Sequence, residues 1–138
     1  MIQQVKDLAK STLCSPAAVR DIVVTLLAAE HKFDREKEHF WVIGLNTKNY
    51  VEYVDLATLG VLDASLVHPR EVFRLAVHRG VSSIMLAHNH PSGDPMPSKE
   101  DRLVTDRLVD AGKIVGIAVI DHVIVGNSGE FVSYKSGW

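Results

Sequence analysis

The spacing of apolar and polar positions predicts an alternation of helices and strands. Apolar residues recur at three- and four-residue steps over 19–27, behind Ser15 as N-cap and Pro16 in the first turn, which is typical of an amphipathic helix. The segment 39–45, which has no polar side chain after His39, predicts a core strand instead. The predicted elements are a short helix or frayed lead-in at 2–13, helices at 16–30, 69–79 and 98–111, and strands at 39–46, 50–58, 61–66, 82–88, 114–120, 122–126 and 130–134.

This order of elements predicts a single α/β domain. Strands that alternate with helices favour a central mixed sheet with helices packed on both faces. Gly80 and Gly112 stand where the second and third long helices are expected to end. There is no repeat, low-complexity segment or linker, so we divide the chain into an N-terminal lead-in at 1–15 and one domain at 16–138.

Composition narrows the class of protein. The chain has 138 residues, of which 46% are apolar and 23% charged, which is ordinary for one globular domain. Cys14 is the single cysteine, so no internal disulfide can form, and a buried or incidental thiol is the expected role. The apolar runs are shorter than the roughly 18 residues of a membrane span, and the N-terminus lacks the apolar core of a signal peptide. We therefore expect a cytoplasmic protein without a membrane partner.

Charge argues against nucleic acid as a partner. The formal net charge is −2, and the 15 Lys and Arg residues are scattered among 17 Asp and Glu residues. Nonspecific DNA binding needs clustered positive charge. Direct nucleic-acid binding by this domain is therefore not expected.

A candidate metal site follows the predicted strand 82–88. His88 and His90 lie two positions apart, and side chains at i and i+2 of a strand point to the same face. The prolines and glycine of 91–97 predict a loop, and Asp101 falls in the first turn of the helix after it. Two imidazoles and one carboxylate suit a single Zn²⁺ per chain with water as fourth ligand.

Each part of this pattern also has a structural interpretation. Ser98 and Asp101 have the spacing of a helix capping box, and an isolated pair of histidines at a strand end is often structural or solvated. A first-turn carboxylate can cap a helix and face a metal at the same time. The order and spacing of all the parts together favour the metal site.

The same residues resemble a known motif. His88-x-His90, seven residues, Ser98, two residues and Asp101 match the JAMM motif of the JAB1/MPN metalloprotease superfamily without a gap. The resemblance is stronger still to the RadC family and covers roughly residues 16–138. It implies the JAB1/MPN fold, which is similar to that of cytidine deaminases. Members usually carry a further N-terminal helix-hairpin-helix segment, for which this chain is expected to be too short. Stretches that carry the RadC resemblance are 67–71, 86–93, 121–126 and 130–134.

The resemblance also implies a catalytic glutamate and a mechanism. Glu38, directly before the strand at 39, best matches the glutamate that acts as general base and then general acid, with Glu36 as runner-up and Glu30 and Glu52 behind it. A solvated surface charge is the alternative for Glu38. By resemblance, His88, His90 and Asp101 hold zinc, Glu38 deprotonates the zinc-bound water, and the Ser98 hydroxyl helps to stabilise the oxyanion.

The expected function is thus a zinc-dependent hydrolase that cleaves peptide or isopeptide bonds of an unidentified peptide or protein substrate. A non-catalytic interaction module of the same fold is the alternative. A nucleobase deaminase would need a His-x-Glu and a downstream Pro-Cys-x-x-Cys, which this chain lacks. The DNA-repair label of the RadC family has no support in these residues. Asn89 stands where many eukaryotic relatives have Ser or Thr.

Three further histidines lie near motifs. His68 precedes a predicted helix start, and His78 lies near the end of that helix, where a positive charge suits the helix dipole. His122 follows Asp121 between two apolar segments. A structural role is expected for His122, with an Asp121–His122 pair that orients a metal ligand as the alternative.

Overall fold

The computed structural model describes residues 13 and 15–138, and these form a five-stranded sheet with helices on both sides. The predicted lead-in helix at 2–13 and Cys14 therefore lie outside the described residues, apart from Leu13. In chain order the elements are α1 (Pro16–Ala28), α2 (Lys32–Arg35), β1 (His39–Leu45), β2 (Val51–Leu59), α3 (Pro69–Arg79), β3 (Ser83–Asn89), α4 (Lys99–Val115), β4 (Ala118–Val125) and β5 (Phe131–Ser133).

The sheet is mixed, as predicted, with strand order β2-β1-β3-β4-β5. Strand β1 is antiparallel to both of its neighbours, and Phe40 pairs with His88 across β1 and β3. Strands β3 and β4 are parallel, and α4 provides the crossover that parallel neighbours require. The start of β1 therefore lies beside the end of β3.

Each face of the sheet buries its own apolar layer. Along β1, Phe40 and Val42 pack toward α3 and α4, whereas Trp41 and Ile43 pack toward α1. All seven residues of β1 and of β3 are buried, which explains why apolar residues form the central part of both strands. Helices on both faces were predicted, and the two layers confirm them.

Two strand predictions were wrong. No strand forms at 61–66 within the described residues, because Gly60 (φ 118°) ends β2 and the Asp63 carboxylate accepts from the Ser65 backbone N–H in a turn. The predicted strands 114–120 and 122–126 are one strand, β4. Its central residues Asp121 and His122 are polar but have partners inside the protein, so they do not interrupt it.

The end of α4 was also predicted too early. Gly112 lies inside the helix, where an added Cβ would meet the Ile117 carbonyl oxygen at 2.5 Å and the Phe73 ring at 3.4 Å. Close packing therefore accounts for this glycine. The helix ends at Gly116, whose φ of 84° is the left-handed conformation of a C-cap.

Candidate metal centre

Both histidines of the motif come from the end of β3. His88 is fully buried within the strand, and His90 follows the last strand residue with 11% of its side chain exposed. Their ring centroids are 4.7 Å apart at an interplanar angle of 85°. The predicted convergence of the two imidazoles is thus observed.

The orientation of His90 is set by the loop that follows it. His90 Nδ1 lies 2.8 Å from the Asp94 carbonyl oxygen, which only accepts, so Nδ1 carries a proton that it donates. The turn is closed by the Gly93 backbone N–H, which donates to the His90 carbonyl at 3.0 Å. This hydrogen bond leaves Nε2, which faces Asp101, as the ring nitrogen that can act as a ligand.

Asp101 contacts both histidines from the first turn of α4. Its Oδ1 lies 3.4 Å from His88 Nδ1, and its Oδ2 lies 2.9 Å from His90 Nε2, while the side chain is 1% exposed. Burial by itself raises the pKa of Asp101, but His90, His88 and the Ser98 backbone N–H together lower it to about 2. Asp101 is therefore a buried carboxylate anion held against two imidazoles.

Ser98 forms the capping box that its spacing also indicated. Its hydroxyl accepts from the Asp101 backbone N–H at 3.1 Å, and its own backbone N–H donates to Asp101 Oδ2 at 2.8 Å. Since this hydroxyl acts as an acceptor in the cap, its own proton remains available. The predicted role of Ser98 in catalysis stays a prediction.

Glu38 reaches the histidines from the neighbouring strand. It directly precedes β1, and its Oε2 accepts from the Leu62 backbone N–H at 2.9 Å and lies 3.8 Å from His88 Nε2. That second distance is too long for a hydrogen bond, but the imidazole still holds the pKa of Glu38 below its usual value, with the Leu62 N–H adding to the effect. The side chain is 26% exposed, so Glu38 lies where the buried site meets solvent.

The other glutamates considered for this role lie elsewhere. Glu36 is exposed at the end of α2, and Glu52 accepts from Asn46 at the far end of β1. Among the described residues, neither these two nor Glu30 joins the cluster that contains Glu38. Of the four candidates, the structure brings only Glu38 to the histidines.

The residues present fit a metal ion. One potential ligand atom each from Glu38, His88 and His90 lie within 4.8 Å of one another, and Asp101 contacts both imidazoles. In the described part of the chain, neither ring nitrogen of the fully buried His88 has a hydrogen-bond partner. A buried polar atom without a partner is costly, and coordination would satisfy one of the two. Nitrogen and carboxylate donors suit zinc and other divalent transition metals.

The Asp101–His90 contact has a simple chemical explanation. Asp101 raises the pKa of His90, chiefly through their hydrogen bond, so a proton joins His90 Nε2 to Asp101 Oδ2. Binding of a divalent ion at these two atoms would displace that proton. His90 Nε2 and Asp101 Oδ2 thus already lie side by side, as two ligand atoms of one ion would.

His122 is linked to the candidate metal centre, but not through the pairing with Asp121 that the sequence offered as an alternative. The Asp121 carboxylate accepts from the His122 backbone N–H at 2.8 Å and from the Ser133 hydroxyl at 2.6 Å, and among the described residues no hydrogen bond joins it to the His122 imidazole. His122 Nδ1 lies 2.6 Å from Thr105 Oγ1, which donates to the Asp101 carbonyl oxygen at 2.7 Å. His122 therefore reaches Asp101 through Thr105.

His68 and His78 belong to another part of the surface. Both line a cavity of about 520 Å³ between β2 and α3, which contains none of the four residues that meet at the candidate metal centre. His68 is the N-cap of α3 without a side-chain capping bond, and His78 lies in its last turn, as the pattern indicated.

Three residues of the site were missed from the sequence. Asn89 bonds the backbone on both sides of Glu38, the Leu62 N–H holds the Glu38 carboxylate, and Thr105 links His122 to Asp101. Asn89 stood inside the motif, so its position was a usable signal. Leu62 acts through a main-chain group, which side-chain patterns do not reveal.

Comparison with known proteins identifies the family. Residues 13–138 match the family model described as the RadC-like JAB domain. The chain is 44% identical over 135 residues to a UPF0758 protein of Desulforamulus reducens, covering 94% of this chain and 59% of that protein. It is 53% identical over 113 residues to a UPF0758 protein of Caldanaerobacter subterraneus subsp. tengcongensis, covering 82% and 48%. The chain therefore belongs to the RadC-like JAB domain family, as the motif predicted.

The length and the names of these relatives limit what they show about this chain. The chain spans about half the length of the curated relatives it matches, from 59% of the first to 44% of a Listeria welshimeri protein that is 57% identical over 99 residues. Their names state a family and no activity.

In the part of the chain that the structure describes, no helix is both long enough and apolar enough to span a bilayer.

Proposed function

We propose that this protein is a zinc-dependent hydrolase that cleaves peptide or isopeptide bonds. The observation that carries the proposal is the convergence of Glu38, His88 and His90 within 4.8 Å, with Asp101 against both imidazoles. Membership of the RadC-like JAB domain family is compatible with such a metallohydrolase. The substrate class comes from the resemblance to JAMM proteases.

His88, His90 and Asp101 are the proposed ligands, and Glu38 is the proposed general base. The two carboxylates differ in burial, and this distinguishes their proposed roles. Asp101 is 1% exposed and contacts both imidazoles, whereas Glu38 is 26% exposed. A ligand is best shielded from solvent, but a base must reach the attacking water. The lowered pKa of Glu38 keeps the carboxylate ionised near neutral pH, which is the form that a general base requires.

The roles of the chain's own groups follow. A bound zinc ion supplies Lewis acidity and lowers the pKa of its water to about 7 in favourable sites. Glu38 removes a proton from the attacking water and later delivers it to the leaving amine. The Ser98 hydroxyl, whose proton the capping box does not use, donates to the oxygen that becomes negative in the transition state.

Metal content tests the ligand assignment first. We expect about one zinc per chain in the wild type and in Glu38→Gln, and none in His88→Ala or Asp101→Asn, by elemental mass spectrometry after zinc loading and desalting. Loss of zinc in Glu38→Gln with retention in Asp101→Asn would assign Glu38 as the ligand instead. Negligible zinc in the wild type would overturn the catalytic-zinc proposal and favour an interaction module.

Hydrolysis tests the reaction. The zinc-loaded wild type is screened against peptide and isopeptide-linked substrates, with zinc-loaded Glu38→Gln as matched control. This control keeps the size of the side chain and removes the base, so we expect a loss on the order of 10²- to 10⁴-fold. Equal turnover by both proteins would exclude Glu38 as the base.

A further inference from the structure

We propose that Asn89 is the residue that positions Glu38. Asn89 Oδ1 accepts from the His39 backbone N–H at 2.6 Å, and Asn89 Nδ2 donates to the Lys37 carbonyl oxygen at 3.1 Å. Lys37 and His39 are the two neighbours of Glu38 along the chain. One side chain thus holds the main chain on both sides of the proposed base.

The two Asn89 hydrogen bonds, called the Asn89 clamp below, continue the pairing of β1 with β3 beyond its last main-chain pair. Backbone pairing between β1 and β3 extends to Phe40 opposite His88. One step further, the amide of Asn89 takes the place of a facing peptide group, because it offers the same acceptor and donor as a main chain. The Lys37 carbonyl accepts and the His39 N–H donates, so the amide has only one orientation that satisfies both.

Glu38 is held at its side chain as well as its backbone. The Leu62 backbone N–H donates to Glu38 Oε2 at 2.9 Å, and the Gly60 backbone N–H donates to the Glu38 carbonyl oxygen at 2.8 Å. With the two Asn89 bonds, four hydrogen bonds therefore hold Glu38 and its flanking backbone. Asn89 is 4% exposed, which keeps water from competing for its two bonds. A base fixed in this way needs little reorganisation before it can accept a proton.

The position of Asn89 in the sequence connects the Asn89 clamp to the candidate metal centre. Asn89 lies between His88 and His90, so one short segment carries both proposed metal ligands and the group that fixes the base. On a strand, the middle residue points away from its two neighbours. The histidines can therefore face the metal while Asn89 faces the start of β1.

This inference rests on the proposed function, but its first readout does not. Exchange of the His39 and Leu62 backbone amides is followed by NMR in the wild type, Asn89→Ala and Asn46→Ala. Asn46 is the matched control: its Oδ1 accepts from the backbone N–H groups of Lys48 and Tyr50 just beyond the opposite end of β1. In Asn89→Ala we expect exchange at both amides to rise about tenfold or more, the factor that loss of one typical hydrogen bond implies. In Asn46→Ala we expect no change at either amide.

The second readout separates positioning from a general loss of structure. Asn89→Ala is expected to keep about one zinc per chain, because no proposed ligand is altered, while kcat falls on the order of 100-fold, as misplacement of a catalytic group by about 1 Å can cause. In the Glu38→Gln background the same substitution should change kcat by less than about threefold, since the residue it positions is already disabled.

A second variant covers the case in which Asn89→Ala does not fold. Asn89→Asp keeps the acceptor for the His39 N–H and loses the donor to the Lys37 carbonyl, so it too should lower kcat in the wild-type background alone. Unchanged exchange at Leu62, or kcat losses that multiply in the Glu38→Gln background, would overturn the proposal. Failure of the wild type to hydrolyse any substrate would count against the proposed function, while the exchange measurement still decides whether Asn89 holds Glu38.

Discussion

Ser98 and Asp101 hold each other through two reciprocal hydrogen bonds at the start of α4. The Ser98 hydroxyl accepts from the Asp101 N–H, and the Asp101 carboxylate accepts from the Ser98 N–H. Since the same carboxylate contacts His88 and His90, the helix cap and the candidate metal centre share one side chain. Structural and functional interpretations of this spacing therefore describe the same geometry.

The shared side chain predicts a coupled loss in Ser98→Ala. Removal of the cap should lower the free energy of unfolding by about 1 kcal/mol and also weaken zinc binding, because Asp101 loses the bond that orients its backbone. Ser15→Ala is the matched control, since the Ser15 hydroxyl caps α1 by accepting from the Ala18 N–H at 3.2 Å. Denaturant melts and zinc titration of both variants test this. Similar zinc affinity in the two variants would show that the cap does not prepare Asp101.

Zinc itself should stabilise the folded chain. A ligand that binds only the native state at a hundred times its Kd adds about 2.7 kcal/mol, which for a domain of this size raises Tm by roughly 8 °C. Thermal melts with zinc and with a chelator measure the shift. Glu38→Gln should show the full shift and His88→Ala none. A shift that persists in His88→Ala would place the bound zinc elsewhere.

The link between His122 and Asp101 predicts a specific cost for Thr105→Val. This nearly isosteric change removes the hydroxyl that bonds His122 Nδ1 and leaves a buried nitrogen without its partner. We expect the free energy of unfolding to fall by about 1–3 kcal/mol in urea titrations. Thr105→Ser keeps the hydroxyl and should lose less. If the two variants unfolded at the same urea concentration, the hydroxyl would have no special role.

Burial of His122 also predicts an acid-sensitive stability. Burial lowers the pKa of His122 to about 3, below the value near 6.5 of an unfolded histidine. Between these two values the unfolded chain binds the proton and the folded chain does not, so this residue makes stability fall as pH drops below about 6.5. Unfolding of the wild type and His122→Gln across pH 4–8 tests this. The variant should show the weaker pH dependence; a stronger one would contradict it.

A glycine in the core predicts a steric effect. An added Cβ at Gly44 of β1 would overlap the ring of Tyr53 on β2, so Gly44→Ala should destabilise the fold by about 1–3 kcal/mol. Tyr53→Leu removes the ring and should cost less in a Gly44→Ala background than in the wild type. Denaturant melts of the two single variants and the double variant form the test cycle. Strict additivity would rule out the proposed clash.

Periodicity and motif spacing predicted most of the fold and the main site residues. The buried strands β1 and β3 were visible as apolar runs, and the alternation along β3 placed His88 and His90 on one face. Glu38 was predicted by resemblance alone, because no local pattern distinguishes it from Glu36 in the same charged run. The structure separates them, since only Glu38 lies beside the histidines.

The missed features depend on contacts between distant parts of the chain. The polar residues Asp121 and His122 indicated a break in a strand. Their partners Ser133 and Thr105, which allow the strand to continue, could not be known from local sequence. Segment 61–66 was predicted as a strand, but only Leu62 and Ala64 of its apolar residues are buried, and a turn at Asp63 rather than pairing with a neighbouring strand holds it. Long-range packing decided both cases.

Strand pairing also determines when the site can exist. Glu38 and Asn89 are separated by 51 positions and meet only where β1 lies against β3, while Asp101 arrives later on α4. A nascent chain that ends before α4 carries Glu38, the proposed base, and both histidines but lacks Asp101, the proposed acidic ligand. The proposed hydrolytic activity therefore requires this helix to have emerged and docked, and we expect translation products that end before it to be inactive.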